Sequence, residues 1–236
     1  MRQVLVLWDV DYTLVHAGGS GRLLYQMVLA DLYGVEAAAM PATSMAGRTD
    51  SFIAVETLTA VGVDAAAELP RFHQMLAARA PELADMVRAR GFVLPGAREA
   101  LWAVAGCAAD GTVVQSLLTG NLPALASVKL TALDLTEHLD LDVGAYGDVS
   151  QVRADLVPIA RRNAAARYGA DFAGRATVIL GDTPHDVAAA VAAGARAVGV
   201  ATGEFTLQQL ADAGADVVLP DLTDTDTVVA AILDGV

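Results

Sequence analysis

The chain has 236 residues, and its 15 Lys and Arg against 28 Asp and Glu give a formal net charge of −13. This balance argues against a nucleic-acid partner and against a basic helix lying on a membrane, because both need a positively charged face. Hydrophobic residues make up 55% of the sequence, but no apolar run approaches the ~20 residues that span a bilayer.

The N-terminal run and the single cysteine bear on the compartment. Val4–Trp8 is shorter than the ~7–15 apolar residues of a secretory signal, and Asp9 follows it at once. Cys107 has no second cysteine to pair with and no metal-ligand spacing around it. Both observations fit a reducing compartment, so we expect a cytoplasmic protein.

Short apolar runs alternate with helical patterns along the chain. Continuous runs of this kind are typical of strands buried on both faces of a parallel sheet. The predicted strands are Val4–Trp8, Thr112–Thr119, Ala176–Leu180, Ala197–Val200 and Asp216–Leu219. The predicted helices that follow are Gly96–Ala105, Leu122–Leu133, Leu156–Tyr168, Asp186–Ala193 and Thr206–Ala213. The alternation predicts an α/β fold with a Rossmann-like parallel sheet.

One stretch, from about residue 21 to residue 90, interrupts this alternation because it contains no convincing strand. Glycine-rich segments border the stretch and are either hinges or plain flexible linkers. Four helices are predicted inside it: Gly21–Tyr33, Asp50–Val61, Ala65–Ala80 and Pro81–Arg90. The sequence therefore predicts two units, an α/β core of residues 1–17 and 92–236 and an all-α insert of residues 18–91.

Acidic and polar residues follow three of the predicted strands. In a parallel sheet, ligands bind at the carboxyl ends of the strands, so we expect these side chains to meet at one edge. They are Asp9, Asp11 and Thr13 after the first strand, Thr119, Gly120 and Asn121 at the end of the second, and Asp182 and Asp186 after the third.

The chemistry of this set points to a cation and a phosphate. Converging carboxylates repel one another and raise each other's pKa values unless a cation lies between them. Oxygen ligands suit Mg²⁺, which tends to share its coordination sphere with a substrate phosphate. Of Asp9 and Asp11, one could attack while the other transfers protons, and Thr119 with the Gly120 amide could hold phosphate oxygens.

The set resembles the motifs of the haloacid dehalogenase superfamily, specifically its phosphoglycolate phosphatase-like members. The first motif, D-x-D-x-T, is matched by residues 9–13, the second by Thr119 and the fourth, G-D-x-x-x-D, by residues 181–186. The resemblance covers nearly the whole chain. It implies a phosphatase with a helical cap inserted after the first motif, which corresponds to residues 18–91.

The resemblance also implies a role for each matched residue. Asp9 would attack phosphorus and become an aspartyl-phosphate, and Asp11 would protonate the leaving group and then activate water. Asp9, Asp182 and the backbone carbonyl of Asp11 would hold Mg²⁺, with Asp186 and Thr13 supporting them. Thr119, Gly120 and Asn121 would bind the phosphoryl group.

The third motif is where the sequence departs from its relatives, which usually show K-P-x-P. Arg153 lies just before the helix that leads to the Asp182 strand, and its position makes it the favoured replacement. Lys129, inside the helix after Thr119, is the other candidate. On its sequence context alone we expect Lys129 to be an ordinary surface residue of that helix.

Two residues near the insert are candidates for substrate contact. Arg48, in the G-R-T-D break between two helices, could reach an anionic group, or it is solvated while Thr49 or Asp50 caps a helix. His16 lies at the border of the insert, where a role in the hinge is the alternative.

The preferred function is a Mg²⁺-dependent phosphatase for a small phosphorylated metabolite, either phosphoglycolate-like or a sugar phosphate. A phosphomutase and a catalytically silent binding protein on the same fold are the alternatives. A receiver domain would be much shorter, and a dinucleotide-binding enzyme would need a glycine-rich motif after the first strand. We expect no nucleic-acid or membrane partner and either a monomer or a homodimer.

Overall fold

The computed structural model describes residues 3–37, 40, 44–107 and 112–234. Its strands are β1 (Val4–Trp8), β2 (Val15–His16), β3 (Phe92–Val93), β4 (Val113–Leu117), β5 (Thr177–Gly181), β6 (Arg196–Val200) and β7 (Val217–Leu219). Five of them form a parallel sheet in the order β4-β1-β5-β6-β7, and β2 pairs with β3 in an antiparallel ribbon. Among the residues described, none of the helices has the length and hydropathy of a membrane span.

The helices divide into an inserted group and a group that flanks the sheet. The inserted helices are α1 (Ser20–Tyr33), α2 (Asp50–Ala60), α3 (Ala65–Ala78) and α4 (Ala80–Arg90). The flanking helices are α5 (Ala97–Gly106), α6 (Pro123–Ala132), α7 (Leu156–Tyr168), α8 (Pro184–Ala192), α9 (Leu207–Asp212) and α10 (Thr225–Leu233). The predicted fold class is confirmed, whereas the division into two units at the stated residues stays a prediction.

Strand β1 explains why the sheet is covered on both faces. Successive side chains of a strand point to opposite faces, and every residue of β1 is buried. Leu5 and Leu7 pack in the cluster formed with α7 and α8. Val6 and Trp8 pack in the cluster formed with α5 and α10. A strand that is apolar at every position is therefore stable only when helices cover both faces of its sheet.

The register of the sheet places the strand ends at one level. Trp8 pairs with Leu117 on one side and with Leu180 on the other. The chain passes from β1 to β4 on one side and then to β5 on the opposite side, so the strand order reverses around β1. A crevice forms at such a reversal, outside the carboxyl ends of the strands.

The two connections between the sheet and the inserted helices run side by side. His16 in β2 pairs with Phe92 in β3, and their rings stack with centroids 4.9 Å apart. Gly18 has a φ of +64°, and a Cβ there would lie 2.6 Å from the Cβ of Arg90. A glycine is thus required at position 18 by the close approach of the second connection.

Three elements were not expected from the sequence. The two-residue strands β2 and β3 are too short to carry a periodic pattern. Helix α10 is a nine-residue apolar helix whose first turn is capped by Asp224, which accepts a hydrogen bond from the Thr227 amide at 3.1 Å. Its apolar face closes the sheet beside α5.

Candidate active site

A cavity of about 480 Å³ lies between the carboxyl edge of the sheet and the inserted helices. Most of the side chains predicted for the site line this cavity, and they come from five separate parts of the chain. They are Asp9, Asp11, Arg48, Thr119, Gly120, Asn121, Arg153 and Asp182.

Three carboxylates form the most acidic part of the site. Asp9, Asp182 and Asp186 each offer an oxygen, and these oxygens all lie within 4.8 Å of one another. All three residues are buried. The cluster contains the Asp186 carboxylate, which was expected only to support the site, whereas the carboxylate of Asp11 turns toward a different group of residues.

The electrostatics of this cluster favour a bound cation. Burial raises the pKa of Asp9 to about 6, with Arg153 opposing the shift and Asp186 adding to it. Burial and the charges of Asp9 and Asp186 raise the pKa of Asp182 to about 9. A hard divalent ion would relieve both the desolvation and the repulsion. The donor set therefore fits Mg²⁺, with Asp9 and Asp182 as the residues to hold it.

Arg153 is the cation that contacts this cluster. Its Nη2 lies 2.7 Å from Asp9 Oδ1 and 2.5 Å from Asp186 Oδ1, and it donates to the Leu118 carbonyl at 3.1 Å. Burial opposes its charge, but the carboxylates of Asp186 and Asp9 outweigh burial and raise its pKa. Of the two candidates for the third-motif cation, Arg153 is thus the one that faces Asp9.

Lys129 is not the surface residue that the sequence context suggested. It is 4% exposed. Its Nζ donates to Asp11 Oδ2 at 2.5 Å and to Asn121 Oδ1 at 2.6 Å. The expectation was wrong because Lys129 lies on the buried side of α6, together with Leu125 and Leu130.

The loop after β4 is held by its own side chains. Thr119 Oγ1 accepts hydrogen bonds from the backbone and the side-chain amide of Asn121, at 3.3 and 2.9 Å. A Cβ at Gly120 would lie 2.0 Å from the carbonyl oxygen of Arg48. Gly120 is therefore needed because the segment that enters α2 crosses directly over this loop.

Asp50 joins the inserted helices to the core, whereas the sequence offered it only as a possible helix cap. Its amide donates to the Gly120 carbonyl at 2.6 Å. Its carboxylate accepts from the Leu122 amide at 2.7 Å and from the Tyr25 hydroxyl at 2.9 Å. Burial raises the pKa of Asp50 to about 6, with Lys129 opposing the shift. Thr49, rather than Asp50, is the N-cap of α2.

The two proposed substrate-contacting residues have different surroundings. Arg48 lines the cavity, pairs with Glu56 at 3.1 Å and lies over the Phe52 ring at 4.5 Å. His16 stacks on Phe92 in the β2–β3 ribbon, and its Nδ1 accepts from the Gly18 amide at 3.2 Å. Its position is that of a residue supporting the connection between the two groups of helices.

Local backbone features support the remaining motif residues. Asp186 and Thr183 form a capping box at the start of α8, with Thr183 Oγ1 donating to Asp186 Oδ2 at 2.7 Å. Thr13 is fully buried, and its hydroxyl has no hydrogen-bond partner among the described residues. Tyr12 has a φ of +60° and lies in the left-handed region that favours glycine.

Comparison with known proteins gives a family match for one part of the chain and a fold match for nearly all of it. Residues 152–225 match the model of the HAD-hydrolase-like family. No curated protein is a significant match to the sequence.

The solved structures with similar folds include three of particular interest. A hydrolase from Pseudomonas syringae is 20% identical, with a TM-score of 0.64 over 96% of this chain and 97% of that one. A predicted phosphoglycolate phosphatase from Haemophilus somnus is 17% identical, with a TM-score of 0.65 over 96% and 97%. A candidate beta-phosphoglucomutase from Bacteroides vulgatus is 16% identical, with a TM-score of 0.65 over 98% and 91%. The family match and these folds together confirm the predicted resemblance to the haloacid dehalogenase-like hydrolases.

Proposed function

We propose that the protein is a Mg²⁺-dependent phosphatase that hydrolyses a small phosphorylated metabolite through a phosphorylated Asp9. One observation carries the proposal. Asp9, Asp182 and Asp186 converge with Arg153 at the carboxyl end of β1, and Asp9, Asp182 and Arg153 line the cavity of about 480 Å³. Such a cluster of buried carboxylates around one cation suits the binding of Mg²⁺ and a phosphoryl group.

The reaction would take place in two steps. In the first, a carboxylate oxygen of Asp9 bonds to phosphorus, the bond from phosphorus to the leaving oxygen breaks, and Asp11 gives its proton to that oxygen. In the second, a water oxygen bonds to phosphorus, the water proton passes to Asp11, and the bond from phosphorus to Asp9 breaks. The products are the alcohol and phosphate, and both aspartates return to their starting states.

The other groups of the site would bind the phosphoryl oxygens. The Arg153 guanidinium, the Thr119 hydroxyl and the Gly120 amide supply positive charge and donors at the end of the strands. Bound Mg²⁺, held by Asp9, Asp182 and the Asp11 carbonyl, would neutralise charge on the transferring group. Fixed positive charge of this kind is needed because phosphate monoesters are among the slowest substrates to hydrolyse without a catalyst.

The cavity supports a substrate of metabolite size. Its volume of about 480 Å³ lies within the ~300–1,000 Å³ typical of small-molecule sites. Ile53 and Leu83 supply apolar walls, and Arg22 and Arg48 supply cations on the side of the inserted helices. This lining favours a short leaving group that carries an anionic or polar end, as in a phosphoglycolate-like compound or a sugar phosphate.

Hydrolysis of p-nitrophenyl phosphate tests the proposal. We expect turnover that requires Mg²⁺, stops with EDTA, and is lost in Asp9→Asn but not in Asp85→Asn, a control at a carboxylate that is 79% exposed. Turnover that persists in Asp9→Asn would contradict the proposal.

A panel of sugar phosphates separates a phosphatase from a phosphomutase. A mutase would isomerise the ester and release no phosphate. A protein that neither turns over any ester nor is phosphorylated at Asp9 by acetyl phosphate would be a silent binding protein.

A further inference from the structure

Lys129 occupies a position that the two-step reaction does not by itself explain. It is the only lysine in the sequence, the other 14 of the 15 basic residues being arginines. It is 4% exposed and lines the cavity. Its ion-pair partner is Asp11, whereas Arg153 pairs with Asp9 and Asp186. A buried ammonium group is costly unless it is paired and hydrogen-bonded, so its partners identify what it does.

The partners of Lys129 form one network with Asp11. Lys129 Nζ lies 2.5 Å from Asp11 Oδ2 and 2.6 Å from Asn121 Oδ1. Asn121 Nδ2 in turn donates to the same Asp11 oxygen at 2.8 Å and to Thr119 Oγ1 at 2.9 Å. Two donors thus converge on Oδ2 of Asp11, and neither of them uses Oδ1.

We propose that Lys129 and Asn121 are positioning residues that fix the Asp11 carboxyl group through Oδ2, so that Oδ1 carries the proton exchanged with the leaving oxygen. The inference rests on the proposed function. In the first step the proton leaves Oδ1 for the leaving oxygen as that oxygen separates from phosphorus. In the second step a water proton returns to Oδ1 as the water oxygen bonds to phosphorus.

The type of residue fits this role. An ammonium group is a compact point charge with three donors, so it can bind Asp11 and Asn121 at once from the end of one flexible side chain. Asn121 supplies a second donor, and Thr119 fixes its orientation. The Asp11 side chain, which is 32% exposed, would otherwise be free to turn in the cavity.

The dependence of the rate on the leaving group distinguishes a loss of Asp11 positioning from a general disturbance of the active site. Proton transfer to the leaving oxygen matters most for alkyl phosphates, whose alkoxides are poor leaving groups, and least for nitrophenyl phosphates. General acid–base catalysis contributes about 10²–10⁴-fold. For Lys129→Met we therefore expect kcat/KM, which reports the step that releases the leaving group, to fall about 10- to 100-fold on alkyl phosphates but less than about 3-fold on 2,4-dinitrophenyl phosphate.

Two further variants, assayed on the same phosphate esters, serve as controls. Lys129→Arg, which keeps the charge, should recover part of the alkyl phosphate rate, and Arg71→Met, at a side chain that is 60% exposed, should match the wild type. An equal loss of kcat/KM on every substrate, or no loss on any, would overturn the role of Lys129 while leaving the phosphatase itself established. A wild-type protein that hydrolyses none of these esters would overturn the proposed function and this inference with it.

A measurement on the metal-free protein tests the network without turnover. Because Lys129 is the only lysine, incorporation of Nζ-¹⁵N lysine gives a single side-chain ammonium signal. We expect that signal to be visible, as for a buried and hydrogen-bonded group, and to shift in Asp11→Asn and Asn121→Ala but not in Arg71→Met. A signal that the Asp11 and Asn121 variants leave in place would overturn the network.

Discussion

Replacing Asp182 by Asn should stabilise the metal-free protein and remove its response to Mg²⁺. Asp182 is 2% exposed, and burial with the charges of Asp9 and Asp186 raises its pKa from 3.8 to about 9. A raised pKa means that the folded protein favours the protonated carboxyl. Its contribution to stability is therefore complete below pH 3.8 and is lost as the pH rises through about 9.

The size of the effect follows from the same shift. At pH 7 the unfolded chain has ionised this carboxyl, whereas the folded metal-free protein keeps the proton. One pKa unit corresponds to about 1.4 kcal/mol, so the roughly three units between 3.8 and pH 7 cost about 4 kcal/mol. Asn removes this cost because it does not titrate. Allowing for lost contacts, we expect a gain of about 2–4 kcal/mol, or about 4–16 °C in Tm for a chain of this length.

Thermal unfolding with and without Mg²⁺, at pH 5 and pH 8, measures both parts of the prediction. The wild-type Tm should rise with Mg²⁺, and more at pH 8 than at pH 5. Asp182→Asn should have the higher metal-free Tm at pH 8 and show no rise with Mg²⁺, whereas Asp85→Asn should behave as the wild type. A lower metal-free Tm for Asp182→Asn, or a Mg²⁺ response equal to that of the wild type, would refute the reasoning.

Three further substitutions test the contacts around the site. Gly120→Ala places a Cβ 2.0 Å from a backbone oxygen, so it should lower the free energy of unfolding by about 1–3 kcal/mol and remove most of the activity. Gly106→Ala, which has open space around it, should lower neither the stability nor the activity. The metal-free protein should lose stability between pH 4 and pH 6, and Asp50→Asn should reduce that loss, because the pKa of Asp50 is raised to about 6. The same pH dependence of the unfolding free energy in both proteins, measured by denaturant titration, would count against this. Tyr12→Gly should change the free energy of unfolding by less than about 1 kcal/mol, because relief of the left-handed backbone offsets the lost ring contacts. A loss above about 2 kcal/mol in urea unfolding would contradict this.

The sheet and the acidic edge were predictable because their signals are local. Apolar runs such as Val4–Trp8 mark strands that are buried on both faces, and the residue after each run must lie at the carboxyl edge of a parallel sheet. Thr119 and Asp182 were found in this way. Their meeting with Asp9 needs no knowledge of loop conformation, since the sheet register fixes it.

The role of Lys129 was harder to predict because it depends on helix orientation. A lysine inside a helix is usually solvated. The signal was nevertheless present, since Leu122, Leu125, Ala126, Lys129 and Leu130 form the i, i+3, i+4, i+7, i+8 stripe of a buried face. A lysine in an apolar stripe indicates a buried partner, and only the structure identifies that partner as Asp11.

The contacts of the inserted helices could not be predicted, because they join segments that are distant in sequence. Asp50 lies 72 residues from the Leu122 amide that it binds. Gly120 and Gly147 contact the segment that enters α2 through backbone atoms, which no side-chain pattern records. Arg22 becomes a lining residue only because α1 packs over the cavity.

Trapping the phosphorylated residue tests the central claim most directly. Turnover with Mg²⁺ is stopped by acid, the aspartyl-phosphate is reduced with borohydride, and the peptide of residues 3–22, bounded by arginines on both sides, is sequenced by mass spectrometry. The account predicts that residue 9 is converted to homoserine, that residue 11 stays aspartate, and that neither changes without substrate. Conversion of any residue other than Asp9, or steady turnover with no trapped residue at all, would contradict it.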